Sequence, residues 1–135
     1  MVQINMVYEG DLHCTATHQP SGAVLHTDAP KDNMGKGENF SPTDLVATAL
    51  GTCILSVLGI LSRTMQIDLK GTKVMVEKEM MTQPVRRIGK LTVTVHVFIP
   101  LSDEQKQKLI NAAHTCPVHK SLHPDIEAPI AFIWG

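Results

Sequence analysis

Two cysteines stand where thiol chemistry could be built, Cys53 and Cys116, and three histidines gather about the second, His114, His119 and His123. The thiolate, not the thiol, is the nucleophile, so each cysteine is judged by what surrounds it. Cys116 opens the run CPVHKSLHP. Pro117 suits the first position of a short helix, which makes Cys116 its N-cap. Backbone N–H groups at a helix start favour a thiolate, and Lys120 with His114 or His119 adds positive charge. Against this, an ordinary capping or buried cysteine is the commoner case in an arbitrary protein. Cys53 lies inside the longest apolar run of the chain. By itself it reads as a small buried hydrophobe, inert unless a cation and a base reach it. Cys14 is in phase with Leu12 and Ala16 on a strand and reads as core. Cys116, His119 and His123 have the spacing of half a zinc site, with no second ligand pair to complete it. His13, His18 and His26 alternate with apolar positions and are expected to face solvent. Arg86 and Arg87 are most simply surface charges at a hairpin tip, though they could also reach over to a site built between subunits.

The element that must position Cys53 is Ser41–Met65. Ser41 is a fitting N-cap, Pro42 fits the first helical position, and Asp44 completes a capping box at the positive end of the helix dipole. The helix should run about six turns. Leu45, Val46, Ala49, Leu50, Cys53, Ile54, Val57, Leu58 and Leu61 form one broad apolar stripe, and Thr48, Thr52, Ser56 and Gly59 a second stripe of small residues. A helix apolar or small on nearly all sides is a buried one. It is short of charge over about 18 residues, the length of a membrane span. The Ser, Thr and Gly residues dilute that reading, and a core helix is expected, covered by a sheet and a second subunit.

Before this helix, residues 2–8, 12–17 and 23–27 alternate apolar with polar and predict three strands of an antiparallel meander, the first with one buried face. Asp28 to Asn39 is a polar loop feeding the helix cap, and its GKG lacks the spacing of a phosphate-binding loop. After the helix, residues 72–80 and 91–97 predict two strands, Ser102 caps a second helix whose inner face is Leu109, Ile110, Ala112 and Ala113, and residues 126–134 predict a last strand. The order is βββ-α-ββ-α-α-β, an α+β domain with helices packed on antiparallel sheet.

At 135 residues the chain is one domain by length, 1–135, with a net charge of -1. That balance draws neither nucleic acid nor anionic lipid, and aromatics at 4% offer no platform for stacking bases. The start, MVQINMVYEG, lacks the basic and apolar regions of a signal peptide, so the cytoplasm is the expected compartment. Three cysteines, an odd number, argue against a disulfide framework there.

FSPTDLVATALGTC at Phe40–Cys53 and CPVHKSL at Cys116–Leu122, in this order and at this separation, resemble the OsmC/Ohr family of thiol-dependent hydroperoxide reductases, its OsmC-like members most closely. The element order fits over nearly the whole chain. The resemblance implies an OsmC-like fold of antiparallel sheets on a long central helix, in an intertwined homodimer with the two long helices at its centre. It implies that Cys53 is the peroxidatic cysteine and Cys116 the resolving one. The cycle would pass through a Cys53 sulfenic acid and a Cys53–Cys116 disulfide, reduced by a dithiol or a lipoylated protein, without metal, haem or flavin. Relatives carry a Glu where this chain has Thr43, and an Arg before the long helix, where this chain has none until Arg63. Asp44 with a cation among Lys31, Lys36, Arg86 and Arg87 is expected to replace that pair, with Glu38 and His119 as further supporting groups.

Three functions are therefore weighed. The first is a cysteine-based peroxidase acting on organic hydroperoxides, and on hydrogen peroxide as a further substrate, in oxidative or osmotic stress defence. The second is a non-enzymatic protein of the same fold that binds a small apolar ligand. The third is a zinc domain around Cys116, His119 and His123.

Overall fold

A computed structural model describes residues 1–135. The chain gathers into two compact units, Met1–Val46 and Ala47–Gly135.

In the first unit three strands form an antiparallel sheet in the order β1-β2-β3: β1 Ile4–Tyr8, β2 His13–His18 and β3 Val24–Asp28. Tyr8 pairs with Cys14, His13 with Asp28, and Thr15 with His26. The second strand starts one residue later than the alternation predicts. Asp11 and Leu12, at φ of 55° and 58°, are turned into the left-handed region with Gly10 at 87°, and cannot join the ladder. The first strand departs further: the alternation predicts one buried face, yet all five residues of β1 are exposed within the chain. Beyond β3 the polar loop holds a 3-10 turn at Lys31–Asn33. Gly35 then presses against Ala29, where an added Cβ would overlap the Ala29 carbonyl, so no other residue fits.

The long helix α1, Pro42–Met65, begins as its cap predicts. The Ser41 N–H donates to Asp44 Oδ2 at 2.9 Å and the Asp44 N–H donates to Ser41 Oγ at 3.1 Å. This reciprocal pair satisfies two of the N–H groups that a helix start leaves orphaned.

The second unit is built on β5, Arg87–Val97, flanked by β4, Lys73–Met81, and β6, Ile130–Trp134. Leu91, Val93, Val95 and Val97 are all 1% exposed or less. Burying each stabilises the fold by about 1.5–3 kcal/mol. α1 seats on this sheet at Gly51, where a Cβ would meet Val76 Cγ2 at 3.1 Å and Val74 Cγ1 at 3.3 Å. α1 buries Ala47, Leu50, Gly51, Ile54, Leu58 and Ser62 and leaves Thr48, Ala49, Thr52, Ser56 and Ile60 exposed. It is long and apolar enough to cross a membrane by composition, but its packing on Val74 and Val76 is that of a core helix. The expectation of burial on all sides thus holds for one face within the chain.

β4 and β5 are antiparallel, as predicted, with a bulge at Glu79/Met80. β6 runs parallel to β5. A parallel neighbour needs a crossover, and α2 (Asp103–Ala113) with α3 (Pro117–Ser121) supplies it. Ser102 caps α2 through a full capping box with Gln105. The last strand is shorter than predicted because the stretch before it, up to Pro129, reaches β5 through single carbonyls: Leu91 N–H donates to Glu127 O at 2.8 Å and Val93 N–H to Pro129 O at 2.9 Å.

Candidate functional site

Cys53 sits at the edge of the buried face of α1. Its neighbour Ile54 is fully buried, Thr52 is exposed, and Cys53 itself is half-buried. A nucleophile in that position is held by the helix and still open to a small substrate. Thr52 and Ser56 turn their hydroxyls back onto the helix, to Thr48 O at 2.8 Å and Thr52 O at 2.9 Å. The small-residue stripe beside Cys53 therefore presents methyl and methylene groups rather than unspent donors.

Cys116 is the N-cap of α3, with Pro117 at the first helical position, as the motif predicts. It is fully buried. Its Sγ accepts the His119 N–H at 3.5 Å. Both cysteines are free thiols, and the Cys53 side chain comes close enough to raise the Cys116 thiol. The tertiary fold thus brings together two residues that lie in separate motifs of the sequence.

The electrostatics of Cys116 correct the reading from the helix N-terminus. Burial pushes its thiol up from the ordinary value, and the Cys53 side chain beside it pushes the same way. The N–H groups of His119 and Val118 pull it down, but not far enough. A five-residue helix offers a weak dipole, and desolvation of a fully buried sulfur outweighs it. Cys116 is accordingly a proton-bearing partner of Cys53. The contribution of Val118 has no sequence signal beyond the Pro117 that starts the helix.

His119 serves this arrangement through its backbone. Its ring donates from Nε2 to the Ala128 carbonyl at 3.1 Å, tying α3 to the approach of β6, and meets the His114 ring edge-on at 6.1 Å. His123 Nδ1 accepts the Asp125 N–H at 3.0 Å. One nitrogen of each of these histidines, His119 Nε2 and His123 Nδ1, is thus engaged by backbone.

The other predicted supporting groups are placed as follows. Lys36 and Glu38 are exposed on the loop before α1. Thr43 Oγ1 lies 3.3 Å from Ser41 Oγ, and Asp44 closes the α1 cap. Arg86 is exposed beside β5, and Arg87 Nη1 donates to the Ile88 carbonyl at 2.9 Å. A cleft of about 340 Å³ opens at the C-terminal half of α1, lined by Leu55, Leu58, Ser62 and Leu69 among others, and includes neither cysteine.

The profile of the OsmC-like protein family matches residues 35–130. Among solved structures, the chain is similar to a Psychrobacter arcticus 273-4 protein assigned provisionally to osmotic stress induction and the detoxification response. The two are 43% identical at a TM-score of 0.93, over 98% of this chain and 96% of that one. The fold is shared with an OsmC-like protein from Mycoplasma pneumoniae, at 17% identity and a TM-score of 0.84 over 99% and 96% of the two chains. It is shared too with the organic hydroperoxide resistance protein OhrB of Bacillus subtilis, at 18% identity and a TM-score of 0.73 over 98% of each chain. No curated protein matches.

Proposed function

Because the chain belongs to the family of OsmC-like proteins, we propose that residues 1–135 form one OsmC-like domain that works as a cysteine-based peroxidase, reducing organic hydroperoxides with Cys53 as peroxidatic and Cys116 as resolving residue. The observation that carries this reading is the pair of free thiols brought together from the two motifs, Cys53 half-buried and Cys116 buried with its thiol raised. The Cys53 thiolate attacks the distal peroxide oxygen and the O–O bond breaks. The alkoxide takes a proton from water and leaves as alcohol, and Cys53 becomes a sulfenic acid. The Cys116 sulfur then attacks Cys53. An S–S bond forms, the S–O bond breaks, and the sulfenic oxygen leaves as water with the Cys116 proton. A dithiol, on a lipoylated protein or a small molecule, is oxidised to its disulfide and restores both thiols. The burial of Cys116 suits its role, since a protonated resolving thiol does not compete for peroxide.

Asp44 and one cation among Lys31, Lys36, Arg86 and Arg87 are proposed to replace the relatives' Glu–Arg pair, the cation holding the Cys53 thiolate and Asp44 the cation, with Glu38 and Thr43 as further supporting groups. Replacing each cation singly and following peroxide consumption identifies it. The working form is a homodimer in the cytoplasm. Exposed apolar side chains on β1 (Ile4, Met6, Val7, Tyr8) and Ile60 of α1, 69% exposed, support the dimer, and light scattering coupled to gel filtration tests it. The peroxidase reading predicts that Cys53→Ser consumes no peroxide, while Cys116→Ser consumes one equivalent per chain and stops. Full turnover by Cys53→Ser overturns it. The cleft at Leu55, Leu58 and Leu69 favours a second reading, a small apolar ligand bound without chemistry, which predicts thermal stabilisation by the ligand and no peroxide turnover.

A further inference from the structure

The first unit carries a second cluster of chemically capable side chains, independent of the thiols. Alternation along the strands sends His13 and His26 to solvent; the register of β2 and β3 does something more. His13 pairs with Asp28 and Thr15 with His26, so the two histidines lie diagonally on one face of the sheet. Their rings stack with centroids 5.4 Å apart and planes 18° from parallel. The turn after β1 brings Glu9 back over them: its N–H donates to the His13 carbonyl at 2.9 Å, and its Oε1 lies 3.5 Å from His13 Nε2. One ligand atom from each of Glu9, His13 and His26 lies within 4.8 Å of the other two. The Glu9–His13 spacing is that of two ligands around one tetrahedral ion at about 2.1 Å.

Hydrogen bonds hold both rings from behind. Asp28 Oδ1 lies 2.6 Å from His13 Nδ1, and its other oxygen accepts from Asn39 Nδ2 at 3.0 Å. The Asp28 side chain is buried between these two partners. With Nδ1 held by Asp28, the Nε2 edge of the His13 ring is turned to Glu9. At His26, Nδ1 lies 3.0 Å from the Thr15 hydroxyl, which itself donates to Glu9. The Thr15 hydroxyl thus links His26 Nδ1 to the Glu9 carboxylate. A carboxylate behind a histidine, fixing its tautomer and raising its basicity, is the support that metal-ligating imidazoles receive.

We propose that Glu9, His13 and His26 bind a divalent cation of the zinc class on the face of the first sheet, with Asp28 as the positioning residue behind His13. Two imidazoles and one carboxylate leave coordination positions open to water or a small ligand, unlike a closed structural zinc site.

The test is titration of chelator-treated full-length protein with Zn²⁺ by calorimetry, and with Co²⁺ by absorption. One tight equivalent is expected, with a cobalt d–d band and no thiolate-to-cobalt charge transfer. His26→Ala, an exposed position that leaves the fold intact, should weaken binding at least tenfold, and Glu9→Gln should also weaken it. Asp28→Asn should weaken it about 10- to 100-fold, the range seen for partners behind a ligand. The Cys53→Ser/Cys116→Ser double variant should bind as the parent does. Equal affinity in His26→Ala, no saturable binding, or binding that disappears with the two cysteines overturns the proposal. Because peroxide turnover plays no part in these readouts, the site stands or falls separately from the peroxidase.

Discussion

Strands β1 and β5 are written in the same two-residue rhythm and meet opposite fates. Leu91, Val93, Val95 and Val97 of β5, the central strand between β4 and β6, are at 1% exposure or less. Ile4, Met6 and Tyr8 of β1 keep the alternation and stay 51–64% exposed. An alternating strand states that a face wants to be covered. It does not state by what. β5 is central in its sheet, whereas β1 is an edge with no cover from its own unit, and its apolar face is the part of the molecule that a second copy would explain.

The contrast can be broken most severely at β5. Leu91→Ala should lower the unfolding free energy by about 2–5 kcal/mol in urea titration, since it opens a cavity in a filled core. Ile4→Ala, measured at dilution where the protein is monomeric, should change it by no more than about 0.5 kcal/mol. At working concentration the same β1 variant should instead shift the light-scattering mass towards the monomer. Equal losses at the two strands would erase the distinction. Next in size is Gly51→Val, which drives a branched side chain between α1 and the tips of Val74 and Val76 and should cost about 1–3 kcal/mol. Ser41→Ala removes half of the α1 capping box and should cost about 1 kcal/mol.

The smallest effects come from pH and separate the two units chemically. Asp28, in the first unit, has its carboxyl held below the ordinary value of 3.8. The unfolded chain takes up that proton first as pH falls, so the Asp28 contribution is present above pH 3.8 and is lost as pH drops through the folded value. Cys116, in the second unit, is raised above its ordinary value of 9.0, so the unfolded chain loses its proton first. Its contribution is complete below pH 9.0 and is lost as pH climbs towards the folded value. Asp28→Asn should flatten the acid limb of a stability-against-pH curve and Cys116→Ser the alkaline limb, each leaving the other limb in place.

Much of this protein is local and was legible for that reason. The Ser41–Asp44 and Ser102–Gln105 caps involve residues three apart, and the hydrogen bonds follow from helix geometry alone. Pro117 after Cys116 likewise announces the start of α3. The paired motifs around Cys53 and Cys116 pointed to the family that the comparisons support. What lay beyond the sequence depends on distance across the fold. The direction of β6 is set by a crossover through two helices, and nothing in its own residues encodes it. The charge state of Cys116 turned on burial, which outweighs a short helix dipole and is a property of surroundings rather than of neighbours in the chain. Glu9, His13 and His26 became a cluster only when strand register set them on one face, because a shift of one residue would have pointed them apart. The elements, their caps and the two thiols are written in residues that are neighbours along the chain. Which surfaces are covered and which side chains meet is set by contacts between residues far apart in it.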